Sequence, residues 1–260
     1  MTIPDKRATD RASLLSRLEG VIGLDLRVRF TEFRSPSLLE IALESNDLLG
    51  LQAESGQDIM VEVPVGQGPF VRRRYSIVDL DPQAGTMSLL IALKGNGPGE
   101  TWATHLQPGD LIDAVGPRGK QPVNHAAARH LFLADHSAFA ATSQMVRSIS
   151  SGHVHVVAAF PSTQDAMAFT ASSSAVEIGV ELLSPVAHGD VEPFLAAVEA
   201  LSAEFLAEEG LQCYLNAEFS IVNRVRSLLT DRGVAVSAIA TKPYWRRNVA
   251  NAPHGEPIKD

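Results

Sequence analysis

Two short stretches carry residues whose types and spacing could do chemistry. The first is Val71–Val78, "VRRRYSIV", in which three arginines lead into an otherwise strand-like run. Side chains alternate faces along a strand, so Arg73 and Tyr75 are expected to point one way and Arg72, Arg74 and Ser76 the other. Arg73 beside Tyr75 offers a positive charge next to an aromatic face, which suits a ligand bearing both a phosphate and a flat ring. Taken alone, the stretch reads first as a solvated basic strand face with a half-buried tyrosine. The second is Lys94–His105, "KGNGPGETWATH", with glycines at 95, 97 and 99. A glycine-rich turn feeding a helix exposes backbone N–H groups, and the helix dipole favours an anion there. Glycine also lets the backbone come close to a ligand. By itself Gly-Pro-Gly is more often a simple turn.

The elements that must position these stretches are legible in the alternation. "LDLRVRFTEF", "SLLEIALES", "DIMVEVPV", "RRYSIVDLD", "TMSLLIALK" and "GDLIDAVGP" are six short strands separated by Gly, Pro and Asp clusters. Their spacing predicts an antiparallel barrel, with a short helix over Arg11–Leu18 ahead of it. The two chemistry-bearing stretches then fall on neighbouring strands. After "GPRGKQPVNHAAAR" the rhythm changes. "HLFLAD", "HVHVVAAF", "VEIGVELL", "LQCYLNA" and "VSAIAT" are strand candidates. "SAFAATSQMVRSI", "DVEPFLAAVEALSAEFLA" and Ile221–Asp231 have helical spacing, with Asp190 as N-cap and Pro193 in the first turn of the second, and Gly233 ending the third. Alternating strands and helices imply an open parallel sheet. The fold expected is a β-barrel followed by an α/β domain, with residues 1–122 in the first and 123–260 in the second.

The combination resembles a known family. Arg73, Tyr75 and Ser76 form "R-x-Y-S"; Gly97–Ala103 supply "G-P-G-x-x-W-A"; Pro108–Asp110 and Gly116–Gly119 give "P-G-D…GPRG". These are similar to the flavin domain of the ferredoxin-reductase superfamily. Tyr244-Trp245-Arg246 narrows the resemblance to the siderophore-interacting, or ferric-siderophore reductase, family, and it covers nearly the whole chain. The resemblance implies FAD as cofactor, NADH or NADPH as electron donor, and a ferric siderophore or other ferric chelate as substrate, with ferredoxin as a further candidate donor. It implies that Arg73 contacts the pyrophosphate, Tyr75 packs on the flavin, Ser76 bonds near its reactive nitrogen, and the backbone of Gly97, Gly99 and Thr101 holds the phosphates. Arg74, Ile77, Ala92, Lys94, Pro98 and Trp102 complete the implied cofactor set in the first half, and Asp135, Ser137 and Trp245 in the second. Several positions depart from the family pattern. A histidine is usual at Lys94 and an arginine at Val78. Ala134–Ala141 stands in place of Gly-Asp-Glu-Thr-Ala-Leu-Pro-Ala, Asn216-Ala217-Glu218 in place of Ala-Gly-Glu, and Pro243 in place of the glycine before Tyr-Trp-Arg. The altered segments are those that line the donor's site. Two alternatives therefore stand beside the reductase: a flavin NAD(P)H oxidoreductase with another acceptor, and a flavin or chelate binding protein without turnover.

A nicotinamide gives two electrons as hydride, whereas Fe(III) takes one, and a flavin bridges the two. Oxygen chelators hold Fe(II) less tightly than Fe(III), so one electron can release the metal. Ferric catecholates are anionic, and "TKPYWRRN" places Lys242, Arg246 and Arg247 beside two aromatic side chains. That local positive field is expected to concentrate the substrate. The rest of the chain is acidic, with 30 Asp and Glu against 22 Lys and Arg, which argues against bulk nucleic-acid binding. One cysteine, Cys213, excludes an internal disulfide or a cysteine-based cluster. His153 and His155 share a strand face without evident partner ligands, so no metal site is expected. "DHS" at Asp135–Ser137 lacks the Gly-x-Ser-x-Gly elbow of a hydrolase, but its place at a strand end fits a ligand crevice. No run approaches the ~18 apolar residues of a membrane span, and the N-terminus shows no apolar leader. A cytoplasmic monomer is the expectation.

Overall fold

The computed structural model describes residues 22–66, 70–95, 97–119, 121–169, 176–247 and 249. The helix expected over Arg11–Leu18 lies outside them. Six strands, β1 (Gly23–Ser35), β2 (Leu38–Glu44), β3 (Asp58–Val63), β4 (Val71–Asp81), β5 (Thr86–Ala92) and β6 (Leu111–Arg118), close into an antiparallel barrel in the order β1-β2-β5-β4-β3-β6. The alternation seen in the sequence is the cause. Leu24, Leu26 and Val28 of β1, Ile59, Val61 and Val63 of β3, and Met87, Leu89 and Ile91 of β5 all point inward and form one core. Closure pairs every strand on both sides, which removes exposed edges. A helix, α1 (Pro98–His105), follows β5 and seats Ala103 and Leu106 on the barrel core.

The second half is a five-stranded parallel sheet, in the order β11-β10-β7-β8-β9. The strands are β7 (Arg129–Asp135), β8 (His153–Ala159), β9 (Ile178–Leu183), β10 (Leu211–Glu218) and β11 (Ile239–Trp245). β7 and β10 are buried almost throughout, as strands covered on both faces must be. Helices α2 (Phe139–Ser148), α3 (Thr163–Met167), α4 (Glu192–Ala200), α5 (Ala203–Ala207) and α6 (Phe219–Asp231) connect them. The chain runs from β7 outward through β8 and β9, then returns to place β10 on the other side of β7. The crevice beyond the carboxyl ends of β7 and β10 is thus the switch point where such sheets bind ligands. Among the described residues, no helix is long and apolar enough to cross a membrane.

Three sequence expectations need correction. The helix read through Asp190–Ala207 is broken. α4 stops at Ala200, and Ser202 starts α5 by accepting a hydrogen bond from Phe205 N–H at 3.0 Å. Asp190 stands one residue before the helix's N-cap and accepts from Glu192 N–H at 3.2 Å, and Pro193 is in the first turn as expected. The last strand does not end at Thr241: β11 continues to Trp245, carrying Lys242 and Tyr244 with it. A proline at 243 is tolerated because β11 is an edge strand. α3 was not foreseen; Ser162 caps it by accepting from Asp165 N–H at 3.1 Å.

Barrel and sheet share buried surface. Leu38 of β2 is buried in one cluster with Val123, Phe132, Met145 and Tyr214, against which Leu90 and Ala92 pack. A polar seam runs alongside. Asp165 accepts from Ser37 N–H at 3.0 Å and from the Ser35 hydroxyl, while His136 Nε2 lies 2.8 Å from Ser37 Oγ.

Candidate functional site

β4 presents its side chains as the alternation requires. Arg74 turns to Asp58, with Nε 2.7 Å from Oδ1, and Ser76 is buried beside it on the same face. Arg72 reaches Glu62 on the neighbouring strand at 3.4 Å. Arg73 and Tyr75 leave by the opposite face and meet the start of α1. The approach there is close. A Cβ built on Gly99 would lie 2.5 Å from Tyr75 Oη and 3.3 Å from Arg73 Cγ. Only glycine at 99 lets the helix start rest on both side chains. Trp102, one turn on, stacks parallel to Tyr75 with ring centroids 5.9 Å apart and planes 13° from each other. Burial raises the Tyr75 hydroxyl's pKa, against the pull of Arg73, so Tyr75 stays a neutral aromatic surface. A cleft of about 960 Å³ opens on α1, lined by Pro98, Thr101, Trp102 and His105 and by Val65 and Leu111 across from them; Trp102 belongs to both cleft and junction, whereas Arg73, Tyr75 and Gly99 do not line the cleft.

The glycine turn ahead of α1 is held by its own carboxylate. Glu100 Oε1 accepts from Lys94 N–H and Oε2 from Gly95 N–H, both at 2.8 Å. Gly95 adopts φ +155°, a conformation that glycine takes up readily. Gly97 is the N-cap and makes no side-chain cap bond.

The crevice of the parallel sheet faces this end of the barrel. Asp135 at the end of β7 is used on both oxygens. Oδ2 accepts from Trp245 Nε1 at 2.9 Å and from Glu218 N–H at 2.8 Å, while Oδ1 accepts from Ser137 N–H at 2.8 Å and from the Ser137 hydroxyl. Asp135 and Ser137 therefore brace the crevice and fix the indole. Lys94 sits with Nζ 5.0 Å from the centre of that indole ring. Burial lowers the Lys94 pKa, and Asp135 and Glu100 partly restore it. Lys94 from the barrel and Trp245 from the sheet thus meet across the gap. Ile77 and Ala92 contribute backbone and packing near the barrel end: Ile77 N–H donates to Gln57 at 3.1 Å, and Ala92 pairs with Leu38.

Of the three cations expected to face substrate, Lys242 does not. It is buried, with Nζ 3.1 Å from Asp58 Oδ2 and 3.2 Å from Gly56 O. It sits there because β11 continues past Thr241 and the strand carries its side chain inward, against the barrel. Burial opposes its charge, but Tyr244 and Asp58 outweigh that and raise its pKa. Arg247 is anchored at both ends. Its backbone N–H donates to Glu218 Oε1 at 3.0 Å and its guanidinium to His188 O. Arg246 is exposed and lies over Phe219, 4.6 Å from the ring centre.

Sequence reasoning missed two histidines. His136 and His188 stand with ring centroids 5.3 Å apart, and His188 meets Trp245 edge-on at 6.4 Å. Burial lowers both pKa values, with Ser37 and Asp135 opposing for His136 and Asp135 opposing for His188. His136 lies within the segment that departs from the family pattern, which was a usable signal; His188 sits in a loop and offered none. Among the described residues, no group of three His, Cys, Asp or Glu is placed to hold a metal ion.

Comparison with known proteins adds four findings. Residues 39–121 match the model of the siderophore-interacting FAD-binding domain, and residues 127–248 that of the siderophore-interacting protein. The ferric vibriobactin reductase ViuB of Vibrio cholerae is 25% identical over 238 residues, covering 83% of this chain and 86% of that protein. A siderophore utilization protein from T. fusca superposes with TM-score 0.76 at 21% identity, covering 90% of this chain and 96% of that one. The siderophore-interacting protein SipS from Aeromonas hydrophila gives 0.73 at 22%, covering 88% and 93%.

Proposed function

Because this chain belongs to the siderophore-interacting protein family, we propose that it is an FAD-dependent reductase of ferric siderophores, drawing electrons from NADH or NADPH. The observation that carries the reading is the junction of Arg73, Tyr75, Gly99 and Trp102. It joins a cation, a parallel pair of aromatic rings and a helix start that only glycine allows to come so close. A cleft of about 960 Å³, of the size that holds a small-molecule ligand, meets this junction at Trp102. These residues fit a flat ring linked to phosphates. Arg73 and the amides at the start of α1 would hold the pyrophosphate, and Tyr75 and Trp102 the ring end, while Ser76 lies on the other face of β4 with Arg74. We place this flavin-holding part in residues 1–122 and the donor-binding part in 123–260.

When bound, FAD couples a two-electron donor to a one-electron acceptor. One hydride thus reduces two ferric ions and leaves one proton. The chain's own groups shape the surroundings. Asp135 holds Trp245 at the carboxyl end of the sheet, and the Lys94 side chain lies across from it. Arg246 gives an exposed positive charge on an otherwise acidic chain, suited to an anionic ferric chelate. The run after β8, Phe160–Asp165, has no arginine to read a 2′-phosphate, which favours NADH over NADPH.

The test is spectroscopic. Protein reconstituted with FAD should bleach under NADH without oxygen and recover its absorbance on adding a ferric catecholate, with Fe(II) captured by a ferrous chelator. Bleaching that a ferric chelate cannot reverse, but another acceptor can, would replace the acceptor. FAD binding without bleaching by either nucleotide supports the binding-protein reading, which the internal use of both Asp135 oxygens favours.

A further inference from the structure

We propose that Glu100 is an affinity-limiting residue of the flavin site, whose carboxylate competes with the cofactor's phosphates and keeps FAD reversibly bound; this rests on the flavin reading above. Two consecutive backbone amides, of Lys94 and Gly95, converge on the two oxygens of one carboxylate at 2.8 Å each. Such a pair of amides is an anion-binding nest. It lies immediately before α1, whose N-terminus adds positive potential of its own. Nest, helix start and Arg73 are the groups a pyrophosphate would use, and a fixed negative charge from the same chain already occupies the first of them. Glu100 is the third residue of α1, and its side chain folds back over the turn, with Oε1 3.9 Å from where a Gly97 Cβ would be.

The physical consequence is the same whichever way the phosphates enter. If they displace Glu100, binding loses two charge-assisted hydrogen bonds that the free protein had. If they settle beside it, like charges lie a few ångströms apart. Either way, FAD binds more weakly than it would to the same turn without the charge. The net worth of one hydrogen bond to a charged group sets the scale of that penalty, about tenfold or more in affinity. The ring end of the flavin, on Tyr75 and Trp102, does not feel it.

The test is a titration of the flavin-free protein by fluorescence quenching, with FAD and with riboflavin, which lacks phosphates. The proteins are the parent, Glu100→Gln and Glu100→Ala, with melting curves to confirm folding. Both variants should bind FAD about tenfold tighter than the parent, retain more flavin through purification, and lose the advantage as salt is raised. Riboflavin binding should not change. Unchanged or weaker FAD binding in both variants overturns the proposal, because Glu100 would then serve only to brace the turn. An equal gain for riboflavin also overturns it, since the effect would not be on the phosphates. A parent protein that binds no FAD at all overturns instead the flavin reading on which the proposal rests.

Discussion

Gly99 sits where α1 touches β4, and the magnitudes there decide what an added methyl does. Replacing glycine by alanine in a helix gains up to about 1 kcal/mol of propensity. The new Cβ, however, would lie 2.5 Å from Tyr75 Oη. Tyr75 cannot swing freely, because its ring is stacked on Trp102 and its backbone is paired with Ile59 in β3. Overpacking of this kind costs about 1–3 kcal/mol, so the clash wins. Gly99→Ala should keep the barrel fold, change the near-UV dichroism of the stacked pair, and lower FAD affinity about tenfold or more. A variant with parental affinity and an unchanged near-UV spectrum would remove Gly99 and Tyr75 from the site. The pairing of Arg73 with Tyr75 was legible in the sequence because strand alternation is local. Glu100 was not: its reach back to Lys94 and Gly95 is set by how the turn folds. His136 and His188 lie 52 positions apart in sequence and meet only because the sheet brings their loops together.

β11 carries the clearest departure from expectation at the scale of elements. Most strands and helices were readable, since period-2 runs and capping residues act over a few residues. A strand that ends in Lys-Pro-Tyr-Trp has no such pattern, and its partner β10 decides how far it runs. Its continuation buries Lys242 against Asp58, and Asp58 also accepts from Arg74. The result is a cation–carboxylate–cation cluster joining β3 and β4 of the barrel to β11 of the sheet. Breaking a buried pair by removing one partner leaves an uncompensated charge and costs about 3–5 kcal/mol, whereas replacing the whole set by apolar groups is often neutral. Asp58→Asn should therefore lower the melting temperature markedly, by several degrees or more. Adding Lys242→Met to it should recover part of the loss, although Arg74 still lacks its carboxylate. Additive losses in the double variant would show that the two side chains are not coupled. Thermal denaturation of the four proteins of that cycle settles it.

At the scale of the whole molecule, the seam between barrel and sheet is where acidity should act. His130 is 0% and His136 2% exposed. His130 stacks near Phe132 and Tyr214, 6.5 and 6.2 Å between ring centres, and His136 bonds Ser37 across the seam. Burial is the main cause that lowers both pKa values. In the unfolded chain a histidine takes up its proton near pH 6.5. Above that, both states are neutral and stability is intact. As pH falls below about 6.5, the unfolded chain gains protons that the folded chain refuses, and stability is lost at about 1.4 kcal/mol per pH unit for each such histidine. The loss continues until the lowered folded values are reached. Two carboxylates extend it to lower pH. Hydrogen bonds outweigh burial and lower the pKa of Asp165, bonded to Ser35, Ser37 and Ser162, and of Glu218, bonded to Ser220, Arg247 and Ile221. Their stabilisation holds above about pH 4 and disappears as they protonate. Asp165 and His136 both grip the Ser35–Ser37 turn, so acid loosens the same joint twice. The melting temperature should be level from pH 8 to 7 and fall steadily from about pH 6.5 to 5. Burial lowers the pKa of His155 and His188 as well, so His130→Phe, which keeps an aromatic ring beside Phe132 and Tyr214, should remove about a quarter of that slope without altering the plateau. A parent profile that is flat down to pH 5 would mean that these histidines titrate alike in the folded and unfolded chains, and that the seam does not hold them neutral.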